Sequence, residues 1–91
     1  MTVRVRFFAY FRDLFGIPNV DVPIADAATM GALLDRLCDT PAKKAELFDG
    51  ISLRPHRIIM LNGAPLPAAD PLAATLKDGD VVAIFPLLSG G

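Results

Sequence analysis

The chain has 91 residues, 53% of them hydrophobic and 21% charged, and its nine basic and ten acidic side chains leave a net charge of −1. That composition describes one small domain spanning residues 1–91, with no disordered or fibrous character. The near-neutral balance gives no field to draw in phosphate backbones, which argues against nucleic acid as a partner. The single cysteine, Cys38, excludes an internal disulfide and a cysteine-based zinc site.

A domain this small buries only roughly 60–65% of the surface that its unfolded chain exposes, so apolar residues left outside the core call for an explanation. The opening MTVRVRFFAYFRDLFG carries arginines inside its apolar stretch and has no small-residue cleavage site. No later apolar run approaches the ~20 residues of a membrane span. A cytoplasmic chain that does not engage a membrane is expected.

In chain order, TVRVRFF alternates Val3, Val5 and Phe7 with Thr2, Arg4, Arg6 and Phe8, the period of a half-buried strand. YFRDLFG reads as a connection, followed by a Pro18-Asn19 turn signal. VDVPI then alternates again, with Val20, Val22 and Ile24 on one side, so the first two strands form a hairpin with a long loop.

TMGALLDRLCD places Met30, Leu33, Leu34, Leu37 and Cys38 on one helical stripe, with Thr29 available as N-cap and Gly31 weakening the helix slightly. TPAKKAELF repeats the start signal with Thr40 as cap and Pro41 at the first helical position, and Asp49-Gly50 ends this second, shorter helix. HRIIMLNGAPL is a strand running into an Asn62-Gly63 turn, with a short return strand around Ala64 to Leu66. PLAATLKDGDVVAIFP gives a short helical turn, an Asp78-Gly79 turn and a last strand from about Val81 to Phe85.

Two hairpins flanking a helix, with a last strand that must find room between them, predict an α+β β-grasp (ubiquitin-like) domain. Its mixed sheet of about five strands has one main helix and a second short one on one face, and its first and last strands are parallel neighbours. Alternation then divides the sheet. If Val82, Ile84, Ile59 and Leu61 point to the core, Phe8, Ile58, Met60, Val81, Phe85 and Leu87 point away from it. A sheet covered on one face has ordinarily a polar second face, so these six residues form a candidate partner-binding patch, unless a loop or the second helix covers part of them.

The stretches VRFFAYFRDLFG, TMGALLDRL and LNG, and above all LKDGDVVAIFPLLSGG, resemble the ubiquitin-like sulfur carriers MoaD and ThiS over nearly the whole chain. Phe85-Pro86 before the terminal segment, and the length between the helix and HRIIMLNG, are more similar to MoaD, the small subunit of molybdopterin synthase. The resemblance implies that the Gly91 carboxylate is adenylated by an E1-like adenylyltransferase of the MoeB/ThiF type and converted to a thiocarboxylate. It would then donate sulfur to the pterin precursor inside a large subunit of the MoaE type.

Such a carrier binds no permanent cofactor, ATP being used by the adenylating partner, and is not itself an enzyme. Glycine suits the role, since without a Cβ it can thread closely into other proteins' sites; Ser89 and Gly90 complete a flexible tail over about residues 87–91. Thiamine or cysteine synthesis as the destination, or a ubiquitin-like protein modifier or plain interaction module, are the alternatives.

Other residues point to no chemistry. Cys38 sits on the buried edge of a helical stripe and reads as a small core hydrophobe. His56 has neither a second histidine nor an acid cluster beside it to suggest a metal site or a proton relay. Arg4, Arg6 and Arg12 read as a solvated face, a docking patch for an acidic partner being the alternative, and Lys43, Lys44 and Lys77 as surface lysines.

Overall fold

A computed structural model describes residues 1–67 and 69–86. Strand β1 (Thr2–Phe7) is followed by helix α1 (Tyr10–Phe15), β2 (Asn19–Pro23), α2 (Met30–Leu37), α3 (Pro41–Leu47), β3 (Phe48–Asp49) and β4 (Ser52–Leu53). Then come β5 (Arg57–Leu61), β6 (Ala64–Pro65), a 3-10 turn at Pro71–Ala73 and β7 (Val81–Pro86). The main sheet has the order β2-β1-β7-β5-β6, with β1 and β7 parallel and every other neighbouring pair antiparallel. This is the mixed five-stranded sheet with helices that the alternation predicts, a β-grasp fold.

One face of the sheet meets the helices. Val3, Val5, Phe7, Val82 and Ile84 close against Phe11, Met30, Leu33, Leu34 and Leu47, all of them buried. α2 forms because its apolar stripe has this surface to cover and because the Thr29 hydroxyl accepts a hydrogen bond from the Ala32 N–H at 3.3 Å. α3 starts the same way, its Thr40 hydroxyl accepting from the Lys43 N–H at 3.2 Å with Pro41 in the first turn. The guanidinium groups of Arg54 and Arg57 cap its other end, donating to the carbonyls of Ala45 and Glu46.

Two elements differ from the sequence reading. The YFRDLF stretch is a helix, α1, that starts without a side-chain cap from Ala9 at φ 54° and stops at Gly16, at φ 78°. It is held by tertiary contact: Phe11 is fully buried, and Phe15 stacks on Phe7 with ring centroids 4.3 Å apart. The segment after α3 is a small hairpin, with Phe48 paired to Leu53 and Asp49 to Ser52, where a simple helix end is expected.

Gly31, a weak point on propensity alone, has a packing role. A Cβ there would lie 3.3 Å from the Leu72 carbonyl oxygen and 3.4 Å from Leu72 Cβ, so the missing methyl lets the 3-10 turn rest on α2. The chain leaving that turn is bonded to the start of α2, the Met30 N–H donating to Ala74 O and the Leu76 N–H to Ala28 O, each at 2.8 Å.

Candidate functional site

β7 lies in the centre of the sheet, so what it presents on the outer face is framed on both sides. Ile58 pairs with Phe85, Met60 with Ala83, Arg4 with Val81 and Arg6 with Ala83. Period-two alternation keeps Val82 and Ile84 buried and leaves Val81, Ala83 and Phe85 half-buried on the side away from the helices. Phe8, Ile58 and Met60 are half-buried beside them.

Five of the six residues expected in the patch are therefore brought together on one face. They shield one another: the rings of Phe8 and Phe85 meet edge to face with centroids 5.8 Å apart. Leu87, Ser89, Gly90 and Gly91 lie outside the described residues.

The sequence reading leaves two contributors out of the patch. The Arg6 guanidinium lies 5.1 Å from the Phe8 ring centroid, so a residue assigned to the solvated face is the cationic border of the apolar patch. Ala83 sits between Met60 and Arg6 at the centre of the face, where its small side chain leaves a shallow floor between larger neighbours. Alternation already turns Ala83 outward; its size hides it from a search for large apolar groups.

The root of the terminal segment is fixed from the core side. Pro86, the last residue of β7, is buried and pairs with Arg57. The Arg57 guanidinium donates to Glu46 O at 2.7 Å and stands 3.5 Å from the Glu46 carboxylate and 5.8 Å from the Phe11 ring centroid. A charge anchored to the end of α3 and an aromatic ring thus sets where β5 begins, and with it where β7 ends.

The opposite end of β7 is clamped by the two turns. Asn62 takes φ 52° and donates from Nδ2 to Asp80 Oδ1 at 2.9 Å, while its Oδ1 accepts from the Val81 N–H at 2.8 Å. Asp80 also accepts from the Lys77 N–H at 2.7 Å. The hydrogen bond from Asn62 holds the Asp80 carboxyl below its ordinary range, helped by the Lys77 N–H and charge and opposed by burial. Asp78 accepts from the Thr2 N–H at 2.8 Å, fastening the same loop to the start of β1.

None of this is acid–base machinery. Cys38 is in the core, and burial, with Asp35 adding, pushes its thiol up to about 11, far from the thiolate that a nucleophile requires. His56 occupies a turn at φ 63°. Among the described residues no three His, Cys, Asp or Glu side chains gather as a metal site would need, and no helix is long and apolar enough to cross a membrane.

A β-grasp sheet with an outward apolar face at the end of its central strand defines a ubiquitin-like protein. The chain belongs to the ThiS family of ubiquitin-like sulfur carriers, whose family model matches residues 5–91. It is similar to small archaeal modifier protein 3 of Haloferax volcanii, 33% identical over 92 residues with 100% of both chains covered. It is also similar to the molybdopterin synthase sulfur carrier subunit of Drosophila erecta, 36% identical over 93 residues, covering 100% of this chain and 92% of that one. The crystal structure of SAMP1 from Haloferax volcanii superposes with a TM-score of 0.83 at 27% identity, with both chains covered in full. Sulfur carriers of this family work with E1-like activating enzymes and with partner proteins.

Proposed function

We propose that this chain is the sulfur-carrier subunit of a molybdopterin synthase, acting in the cytoplasm. In this reading a Gly91 carboxylate oxygen attacks the α-phosphate of ATP on an E1-like enzyme of the MoeB/ThiF type, releasing pyrophosphate. Sulfide from a donor then attacks the acyl carbon, the C–S bond forming as AMP leaves, and a thiocarboxylate remains. The carrier supplies no catalytic side chain; it delivers the acyl group, and the large subunit, of the MoaE type, supplies the site where sulfur passes to the pterin precursor. ATP is the partner's substrate, and the carrier itself holds no permanent cofactor.

The observation that carries the reading is the position of the patch: Phe8, Ile58, Met60, Val81 and Phe85 lie on the outer face of β1, β5 and β7 and the segment just after them, and Phe85 is separated from Leu87 only by the buried Pro86. A partner that covers this face would receive residues 87–91 at its edge, with Leu87 extending the contact and Ser89 and Gly90 leading to Gly91. Similarity to a molybdopterin synthase sulfur carrier subunit over the full chain favours this destination. Full-length similarity to an archaeal modifier favours a second reading, in which the activated Gly91 acyl group passes to a lysine amine of another protein.

The purified chain should co-elute from size exclusion with a molybdopterin synthase large subunit from the same cell. Binding only to a thiazole synthase or to a cysteine-forming enzyme would move the destination to thiamine or cysteine. Recovery of the chain in amide linkage to other proteins, with no large-subunit complex, would establish the modifier reading in its place.

A further inference from the structure

The sheet has one edge whose backbone is available to another chain. β2 is terminal in the sheet order, and the other terminal strand, β6, is only Ala64–Pro65. On β2 the direction of each backbone group follows from the ladder. Met1 and Ile24 exchange hydrogen bonds and the Phe7 N–H donates to Pro18 O, so by alternation Val22 and Val20 bond inward to Val3 and Val5. The N–H and C=O groups of Asn19 and Asp21, and the carbonyl of Pro23, point out of the sheet. Nothing among the described residues pairs with those two N–H groups, which is the template that strand addition uses.

Beneath this edge, on the helix side, lies a cleft of about 260 Å³ between β2 and the facing sides of α2 and α3. Its apolar wall includes Phe15, Ile17, Val20 and Leu37, of which Ile17 is 41% exposed. Its charged rim is already paired on most sides: Asp21 with Arg4 at 2.9 Å, and Asp39 with Lys43 at 2.8 Å. Arg36 also lines the cleft, is exposed, and has no ion pair among the described residues.

We propose that the β2 edge and this cleft form a second docking site, separate from the Phe8–Phe85 face, for a short extended segment of another protein. That segment would pair with Asn19–Asp21, send alternate apolar side chains into the cleft, and carry an acidic residue to meet Arg36. Its length is limited by Pro18 and Pro23, which flank the free N–H groups and confine regular pairing to about four residues. A second copy of this chain fits less well, because antiparallel β2 pairing centred on Asp21 sets two carboxylates opposite each other, and Pro23 has no N–H to donate. The site does not depend on the sulfur-carrier reading.

The test uses the full chain, uniformly labelled with 15N, and a blocked peptide with an Ile-Thr-Ile-Thr core followed by three aspartates. The amides of Asn19 and Asp21 should shift on titration and gain protection from hydrogen exchange, with shifts extending to Leu37 and not to Phe85. Arg36→Glu, on an exposed position, should raise Kd about two- to five-fold, with changes in the free spectrum confined to the neighbourhood of residue 36. Replacing the threonines of the peptide core by prolines, which removes backbone donors, should abolish binding. No shifts at millimolar peptide, shifts centred on Ile58 and Phe85, or concentration-dependent shifts of the Asn19 and Asp21 amides in the free protein that show self-pairing would each overturn the proposal.

Discussion

Asn62 and Asp80, 18 residues apart, are joined by a 2.9 Å hydrogen bond, and the same Asn62 side chain accepts from the Val81 N–H. One turn residue thus holds the entry to β7 and the start of the outer face. Asn62→Ala would take one hydrogen bond from the buried Asp80 carboxylate, leave the exposed Val81 N–H to water and place alanine at φ 52°, a cost of about 1–3 kcal/mol. Thermal unfolding followed by circular dichroism should show Tm lowered by about 4–24 °C.

Acid should act through the same clamp. The Asp80 carboxyl titrates below its ordinary 3.8 in the folded chain. Its ionised form therefore stabilises the fold fully above the unfolded value, and that contribution is lost as pH falls through the lower, folded value. Asp80→Asn should be less stable than the parent at neutral pH and should lose less stability as pH falls below about 4. Urea midpoints measured across pH that remain parallel for the two proteins would show that Asp80 is not a source of the acid response.

Gly31 gives a prediction against helix propensity. Gly31 stands in the first turn of α2, where alanine would ordinarily be favoured by up to about 1 kcal/mol. Here its methyl would meet the Leu72 carbonyl oxygen at 3.3 Å, in a turn whose exit is bonded to α2 through Ala74 and Leu76, so Gly31→Ala should give no net gain. Gly31→Val should lose about 1–3 kcal/mol. Chemical denaturation of both variants checks the order.

The outward position of Phe85 separates binding from folding. Phe85→Asp should leave the circular dichroism spectrum native and weaken binding to the adenylating enzyme and to the large subunit by about 2 kcal/mol, roughly 30-fold. Calorimetric titration reads both affinities. A native variant that binds both partners as before would remove the patch from the interface.

Period-two alternation makes β1 and β2 legible in the sequence, while β5 and β7 are apolar runs, RIIML and VVAIF, legible from the Asn62-Gly63 and Asp78-Gly79 turns beside them; the two faces follow because Val3, Val5, Val82 and Ile84 can be buried together in only one register. The α2 and α3 starts are legible in Thr29 and Thr40. α1 is not, because Ala9 supplies no cap and Phe11 and Phe15 give a single turn of periodicity; its helix depends on Phe7, which comes from another element. The β3–β4 hairpin is too short to carry a pattern. At the site, facing is encoded locally and therefore readable. The Arg6 contact with Phe8 and the Asn62 capture of Asp80 depend on side-chain paths between strands, which no local spacing specifies.

The most direct test of the sulfur-carrier account is intact-protein mass spectrometry after incubation with ATP, a cognate E1-like enzyme and a sulfur donor. The account predicts one oxygen replaced by sulfur, located on Gly91 by fragmentation. The replacement should be abolished by deleting Gly91 or by adding one residue after it, with Tm unchanged in both variants, since a displaced carboxylate cannot reach the ATP α-phosphate. An unmodified mass with every adenylating enzyme of the same cell, or sulfur found on Cys38, would contradict it.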